Sequence, residues 1–208
     1  MRSRAPTMPM ATRQPELFAA LDGLPEGFRY AEDFLSPAVE AALLREVERL
    51  PFANARYKEW TAHRRIVSYG GRYDFSANEL KPAGPVAPFL LDLRFAAAQF
   101  VGLPADELTH ALVAEYRAAT QLGWHRDVPE FEAVVGVSLL GAARMRLRRY
   151  PHVVGSRSPS LAFDLAPRSV YSLTGPARWG WQHAISPTPG LRYSVTFRSL
   201  RRSSRSSR

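Results

Sequence analysis

The spacing of apolar positions changes character near residue 111, and the change divides the chain. Before it, Val39, Leu43, Leu44, Val47 and Leu50 recur at helical spacing. Ser36 stands where an N-cap belongs, Pro37 takes the first helical position, and Pro51 stops the run. A second helix is predicted over residues 86–101, closed by Gly102. Between the two helices, residues 64–75 read as strand, Gly70-Gly71 turn, strand. From residue 111 onward, short strand-like runs alternate with turns: 111–117, 133–140, 143–149, 160–165, 169–173, 181–185 and 191–198. Many short strands at close spacing imply an antiparallel sandwich or barrel. The expected fold is α+β and mainly β, a double-sheet jelly roll with N-terminal helices and a hairpin lid. In this reading residues 1–24 form a loose leader and 25–110 the helices and lid. Residues 111–198 form the core, and 199–208 a disordered Arg/Ser tail.

Composition narrows the chemistry. The chain has 208 residues and no cysteine, which excludes disulfides, zinc–cysteine sites, iron–sulfur clusters and thiol nucleophiles. A bound metal would need His, Asp or Glu, and there are only five histidines: His63, His110, His125, His152 and His183. The net charge is +9, carried almost wholly by arginine, since Lys58 and Lys81 are the only lysines. Such a balance suits a polyanion such as nucleic acid. GC-rich codon usage accounts for it equally well. No apolar run has the length of a membrane span, and Met1 to Gln14 lacks the apolar stretch of a secretory signal. The expectation is a soluble intracellular monomer, cytoplasmic and nucleoid-associated if bacterial.

In Trp124-His125-Arg126-Asp127, an extended backbone would turn His125 and Asp127 to the same side. His183 lies in a later strand-like run, Trp181-Gln182-His183-Ala184-Ile185. Two imidazoles and one carboxylate on one face of a metal leave positions open opposite, the arrangement of non-haem Fe(II) oxygenases. His-x-Asp alone is weak evidence; by itself it favours a surface histidine beside a solvated aspartate. In the last run, Arg192, Ser194, Thr196 and Arg198 share one face, and Tyr193, Val195 and Phe197 the other. On an outer strand the arginines would sit in water. Turned into a barrel they would require anions. A dicarboxylate chelating iron would meet that need, with Arg192 on its distal carboxylate and Arg198 nearer the metal.

Taken together, His125-Arg126-Asp127, Val137-Ser138-Leu139, Gly175-Pro176-Ala177-Arg178, His183 and Arg192-Tyr193-Ser194-Val195-Thr196-Phe197-Arg198 resemble the AlkB-like 2-oxoglutarate/Fe(II) dioxygenases. The resemblance spans about residues 28–200 and implies a double-stranded β-helix. It implies oxidative removal of alkyl groups from nucleobases, with Fe(2+), 2-oxoglutarate and O₂. His125, Asp127 and His183 match the iron ligands, and Arg192, Arg198, Tyr116 and Ser194 the co-substrate contacts. The family's Asn-x-Tyr is Ala114-Glu115-Tyr116 here, and its Asn after the first arginine is Ser194. The acidic residue that reads the base edge is missing; Glu130 is its candidate substitute. The hairpin resembles a nucleotide-recognition lid, with Arg65, Tyr69 and Tyr73 at the mouth and Phe75 as packing. The implied partner is alkylated DNA. Two alternatives stay open: the same chemistry on RNA, a protein or a small molecule, or a non-catalytic nucleic-acid-binding barrel. Arg144 to Arg149 alternates cation and apolar residue, as either a phosphate-binding strip or a solvated face. Trp179 and Trp181 read as packing, and His63, His110 and His152 as structural or exposed.

Overall fold

The structure, a computed structural model, describes residues 23–57, 60–74, 79–152 and 160–201. Most of the expected leader and tail, and Phe75, lie outside these residues. In chain order the elements are β1 (Phe28–Ala31), α1 (Pro37–Val47), β2 (Ala53–Tyr57), β3 (Trp60–Tyr69), β4 (Arg72–Asp74) and β5 (Glu79–Lys81). Then come α2 (Leu91–Val101), β6 (His110–Tyr116), β7 (Leu122–His125), β8 (Phe131–Leu139), β9 (Ala143–Arg149) and β10 (Leu161–Leu165). The chain continues through β11 (Val170–Leu173), α3 (Gly175–Trp179), β12 (Trp181–Ile185) and β13 (Arg192–Leu200). No helix among the described residues is long and apolar enough to cross a membrane.

The strands form a jelly roll. A seven-stranded sheet runs β1-β11-β8-β13-β6-β3-β2, a four-stranded sheet β10-β9-β12-β7, and β4 pairs with β5. Every pairing among them is antiparallel. Two apolar layers result. Leu43, Val47, Leu93 and Ala97 of the helices pack on Val113, Val135, Val195 and Phe197 of the large sheet. Ala114, Met145, Leu147, Leu165 and Ile185 fill the space between the sheets. Burying a Leu or Val of this kind contributes about 2 kcal/mol. Because helices cover the outer face of β13, its apolar residues face them and its polar residues face the inter-sheet space.

The helix signals lie where they were read. Val39 N donates to Ser36 Oγ at 3.3 Å, Pro37 opens α1, and Gly102 caps α2 at φ 73°. The second helix starts later than predicted, because Pro88 to Leu90 form a 3₁₀ turn ahead of it. The expected hairpin at Gly70-Gly71 is not formed. β3 pairs with β2 and β6, and β4 turns instead to β5. Gly70 has φ 76° and sits so close to Thr109 that a Cβ would lie 1.9 Å from its carbonyl oxygen. Its N–H donates to Gly84 O at 2.6 Å, which carries the chain off the sheet. At the other end β13 runs on to Leu200, past the predicted stop.

Gly136 of β8 lies beneath the Tyr171 ring, where a Cβ would come within 2.3 Å of the ring carbon Cε1. Tyr171 is 8% exposed and cannot retreat outward. We expect Gly136→Ala to cost about 2 kcal/mol through overpacking. The urea midpoint should fall with an unchanged m-value.

Candidate metal centre

β7 and β12 are neighbours in the small sheet, with His125 opposite His183 in register. Both imidazoles therefore point to the same side, into the inter-sheet space, with ring centroids 4.1 Å apart. Asp127, two residues beyond His125, brings Oδ2 to 3.6 Å from His183 Nε2. One potential ligand atom from each residue lies within 4.8 Å of the other two.

Each group is anchored from behind. His125 Nδ1 lies 2.8 Å from Gly123 O, so Nδ1–H donates and Nε2 keeps its lone pair for the centre. Arg198 Nε donates to Asp127 Oδ1 at 2.6 Å, while Asp127 Oδ2 is buried with no partner. Arg178 is 2% exposed and donates to the carbonyls of Asp127, Val128 and Phe131 at 3.0, 2.8 and 2.9 Å, clamping the loop after the ligands. Burial opposes the charge on Asp127, yet Arg198 and His183 hold its carboxyl well below the usual range. Burial and the neighbouring His125 push His183 down to about 3, and burial likewise lowers His125. At neutral pH the set is two neutral imidazoles and one carboxylate. Its orphaned oxygen would cost about 1–3 kcal/mol or more if nothing took it. These donors fit a divalent cation that leaves positions open.

The adjoining cavity is cationic. Arg192 Nε donates to Ser138 Oγ at 3.0 Å, and its Nη1 is buried without a partner. Its guanidinium lies over the Tyr116 ring, 5.1 Å from the centroid. Burial alone would raise the Tyr116 hydroxyl, but Arg64 and Arg192 outweigh it and lower the pKa. Arg64, Arg192 and Arg198 all line this space, and Asp127 is the single carboxylate among the lining residues. Such a site draws anions.

Of the predicted residues, His125, Asp127, His183, Tyr116, Ser194, Arg192 and Arg198 line one cavity. The expected mouth residues do not. Arg65 faces the helix side of the sheet, where Nε and Nη2 donate to Glu115 at 2.7 and 2.6 Å. That pairing, with Arg117, holds the Glu115 carboxyl below its ordinary range. The correction follows from strand parity: Ile66 packs into the inter-sheet core, so Arg64 also points inward and Arg65 outward. Tyr69 packs on the helix-side core. Tyr73 lies opposite Leu80 on the small hairpin, outside the cavity lining. Glu130 is also outside it, and its carbonyl accepts from Arg201 N at 2.7 Å.

Sequence reasoning missed Arg64, Tyr171 and His110. Arg64 Nη1 donates to the Tyr116 hydroxyl at 3.3 Å, and its Nε is buried without a partner. The step of two from Ile66 was the signal that could have found it. His110 is 5% exposed; its Nδ1 accepts from Arg198 Nη1 at 3.3 Å, behind the Asp127 carboxylate. Nothing in its sequence context marks that contact.

The comparisons agree with this geometry. A family model described as the 2OG-Fe(II) oxygenase superfamily matches residues 27–198. Among solved structures, the chain is similar to the plant AlkB homologue OsALKBH1, with a TM-score of 0.63 at 18% identity. That match covers 85% of this chain and 98% of the other, a likeness of fold. A comparison with curated proteins gives no match.

Proposed function

We propose that this chain, which belongs to the 2OG-Fe(II) oxygenase superfamily, removes alkyl groups from damaged bases in DNA, with His125, Asp127 and His183 as its iron ligands. It is a 2-oxoglutarate-dependent dioxygenase and uses Fe(II) and O₂. The observation that carries the residue assignment is the pair of orphans in one cavity, Asp127 Oδ2 and Arg192 Nη1. One calls for a cation and the other for an anion, which an iron–dicarboxylate pair supplies together.

When bound, iron supplies the activation of O₂ that drives the oxidation. The chain's own residues position and exclude. Gly123 O fixes the His125 tautomer, and Arg198 fixes the Asp127 rotamer. In this reading Arg192 grips the distal carboxylate of 2-oxoglutarate, with Ser194 and the Tyr116 hydroxyl beside it. Arg64, on the same wall, replaces the amide donors that Ala114 and Ser194 lack. The metal and co-substrate residues lie between Tyr116 and Arg198, and β3, in the same large sheet, adds Arg64 to the wall. The cationic lining and the AlkB-homologue fold support a nucleic-acid substrate. A flipped or single-stranded base would reach the cavity most cheaply. We place the enzyme inside the cell, as a monomer.

Formaldehyde release from N-methylated single-stranded DNA, with matched RNA and peptide panels, tests the substrate. Release from RNA or peptide alone would overturn the DNA assignment. Arg192→Met should raise KM for 2-oxoglutarate roughly 30- to 160-fold, the worth of a charged hydrogen bond of about 2–3 kcal/mol. Fe(II) affinity without co-substrate should stay unchanged.

A further inference from the structure

β7 turns His125 inward, and by the same alternation it turns Trp124 to the outer face of the four-stranded sheet. β9 does likewise: Met145 and Leu147 fill the inter-sheet core, and Arg144, Arg146 and Arg148 project outward. Arg146 and Arg148 lie over the Trp124 ring at 4.9 and 4.4 Å from its centroid. Arg148 Nε also donates to Gln182 Oε1 at 2.7 Å. The face continues towards the metal end of the strands. There Arg126 lies 3.6 Å from the centroid of the Tyr150 ring. The acid on this face, Asp164, is tied to Arg144 at 3.1 Å, at the far end. Among the described residues, Arg146 and Arg148 make no ion pair with a carboxylate.

We propose that this outer face binds the phosphate backbone of single-stranded nucleic acid, with Arg146 and Arg148 each taking a phosphate. Contact with the Trp124 ring holds the two guanidinium groups in place, and the Nη groups of Arg148 stay available to a phosphate while its Nε is held by Gln182. Residues two apart on a strand stand about 6.8 Å from each other, which suits successive phosphates of an extended strand. Like charges held side by side without carboxylates favour a polyanion, and aromatic rings among the cations are the make-up of single-strand tracks. That the track leads nucleotides to the cavity rests on the nucleobase reading; the surface itself does not.

The test is fluorescence anisotropy with the full chain and fluorescein-labelled dT12, which carries no lesion, over a range of NaCl concentrations. Arg146→Ala/Arg148→Ala should weaken binding about tenfold and reduce the slope of log K against log salt by about 1.4, near 0.7 per phosphate. Arg45→Ala, an exposed change on α1 across the molecule, should leave both unchanged. A double variant that keeps the parental affinity and slope overturns the proposal. So does a chain that ignores dT12 and loses binding only to phosphatidylserine vesicles. Formaldehyde release separates the two ideas. If the parent releases none from any nucleic acid while the anisotropy result holds, the nucleobase reading falls and the surface stands. If the parent demethylates DNA and the variants bind dT12 as it does, only the surface falls.

Discussion

Asp127→Asn is expected to abolish iron-dependent succinate formation, by roughly a thousandfold or more, equivalent to about 4 kcal/mol. Asp127 is the one carboxylate lining the cavity, and its two oxygens are already divided: Oδ1 accepts from Arg198, and Oδ2, 3.6 Å from His183 Nε2, has no hydrogen-bond partner. An amide in its place removes the negative charge that offsets the cation. It also leaves Arg198, part-buried between His110 and Asp127, without its counter-charge. Breaking a buried pair from one side costs about 3–5 kcal/mol, so this variant should also melt earlier. His183→Ala keeps the Arg198 pair and removes one imidazole. It should lose turnover to a similar extent while retaining most of the stability. Fe(II) titration followed by the absorption of the iron–2-oxoglutarate complex would check both. A variant of either kind that still binds iron with parental affinity would remove that residue from the ligand set.

Acid should unfold the metal-free protein well before its carboxylates protonate. Burial pushes both His110 and His183 down to about 3. An unfolded chain takes up those protons near pH 6.5. Between pH 6.5 and 3 the native state therefore binds fewer protons, so stability rises with pH and falls as the solution is acidified. Each histidine contributes up to about 1.4 kcal/mol per pH unit in that window, less near pH 6.5 where the unfolded imidazole is half protonated, so from pH 6.5 to 4.5 the loss is on the order of 5 kcal/mol. Asp127 acts in a lower window: its depressed carboxyl contributes stability above the unfolded value near 3.9, lost only as pH falls further. Urea denaturation of the chelated protein at pH 4.5, 5.5 and 6.5 measures this. His110→Phe, which leaves the ligand set untouched, should reduce the slope by about half. A flat stability between pH 6.5 and 4.5 would show that these imidazoles are not buried neutral.

The chemistry was legible wherever it depended on strand alternation within one short segment. His125 and Asp127 share a side because they lie two apart, and the same rule groups Arg192, Ser194, Thr196 and Arg198. The cap at Ser36-Pro37 and the stop at Gly102 are likewise local, since each serves backbone groups within a turn of itself. By itself the sequence determined the start of α1 and the stop of α2, most strand centres and which residues could act as a set. Only the tertiary structure decided which set faces inward, because that depends on where the helix layer lies. A strand read one residue out of phase shows its opposite face, which is why Arg65 was expected where Arg64 stands. The turn at Gly70 was misjudged for a related reason: β3 pairs with β6, far along the chain, and the residues just after the turn pair with β5 instead. His110 reaches Arg198 across a strand pairing, a contact that exists only once β6 and β13 are in register.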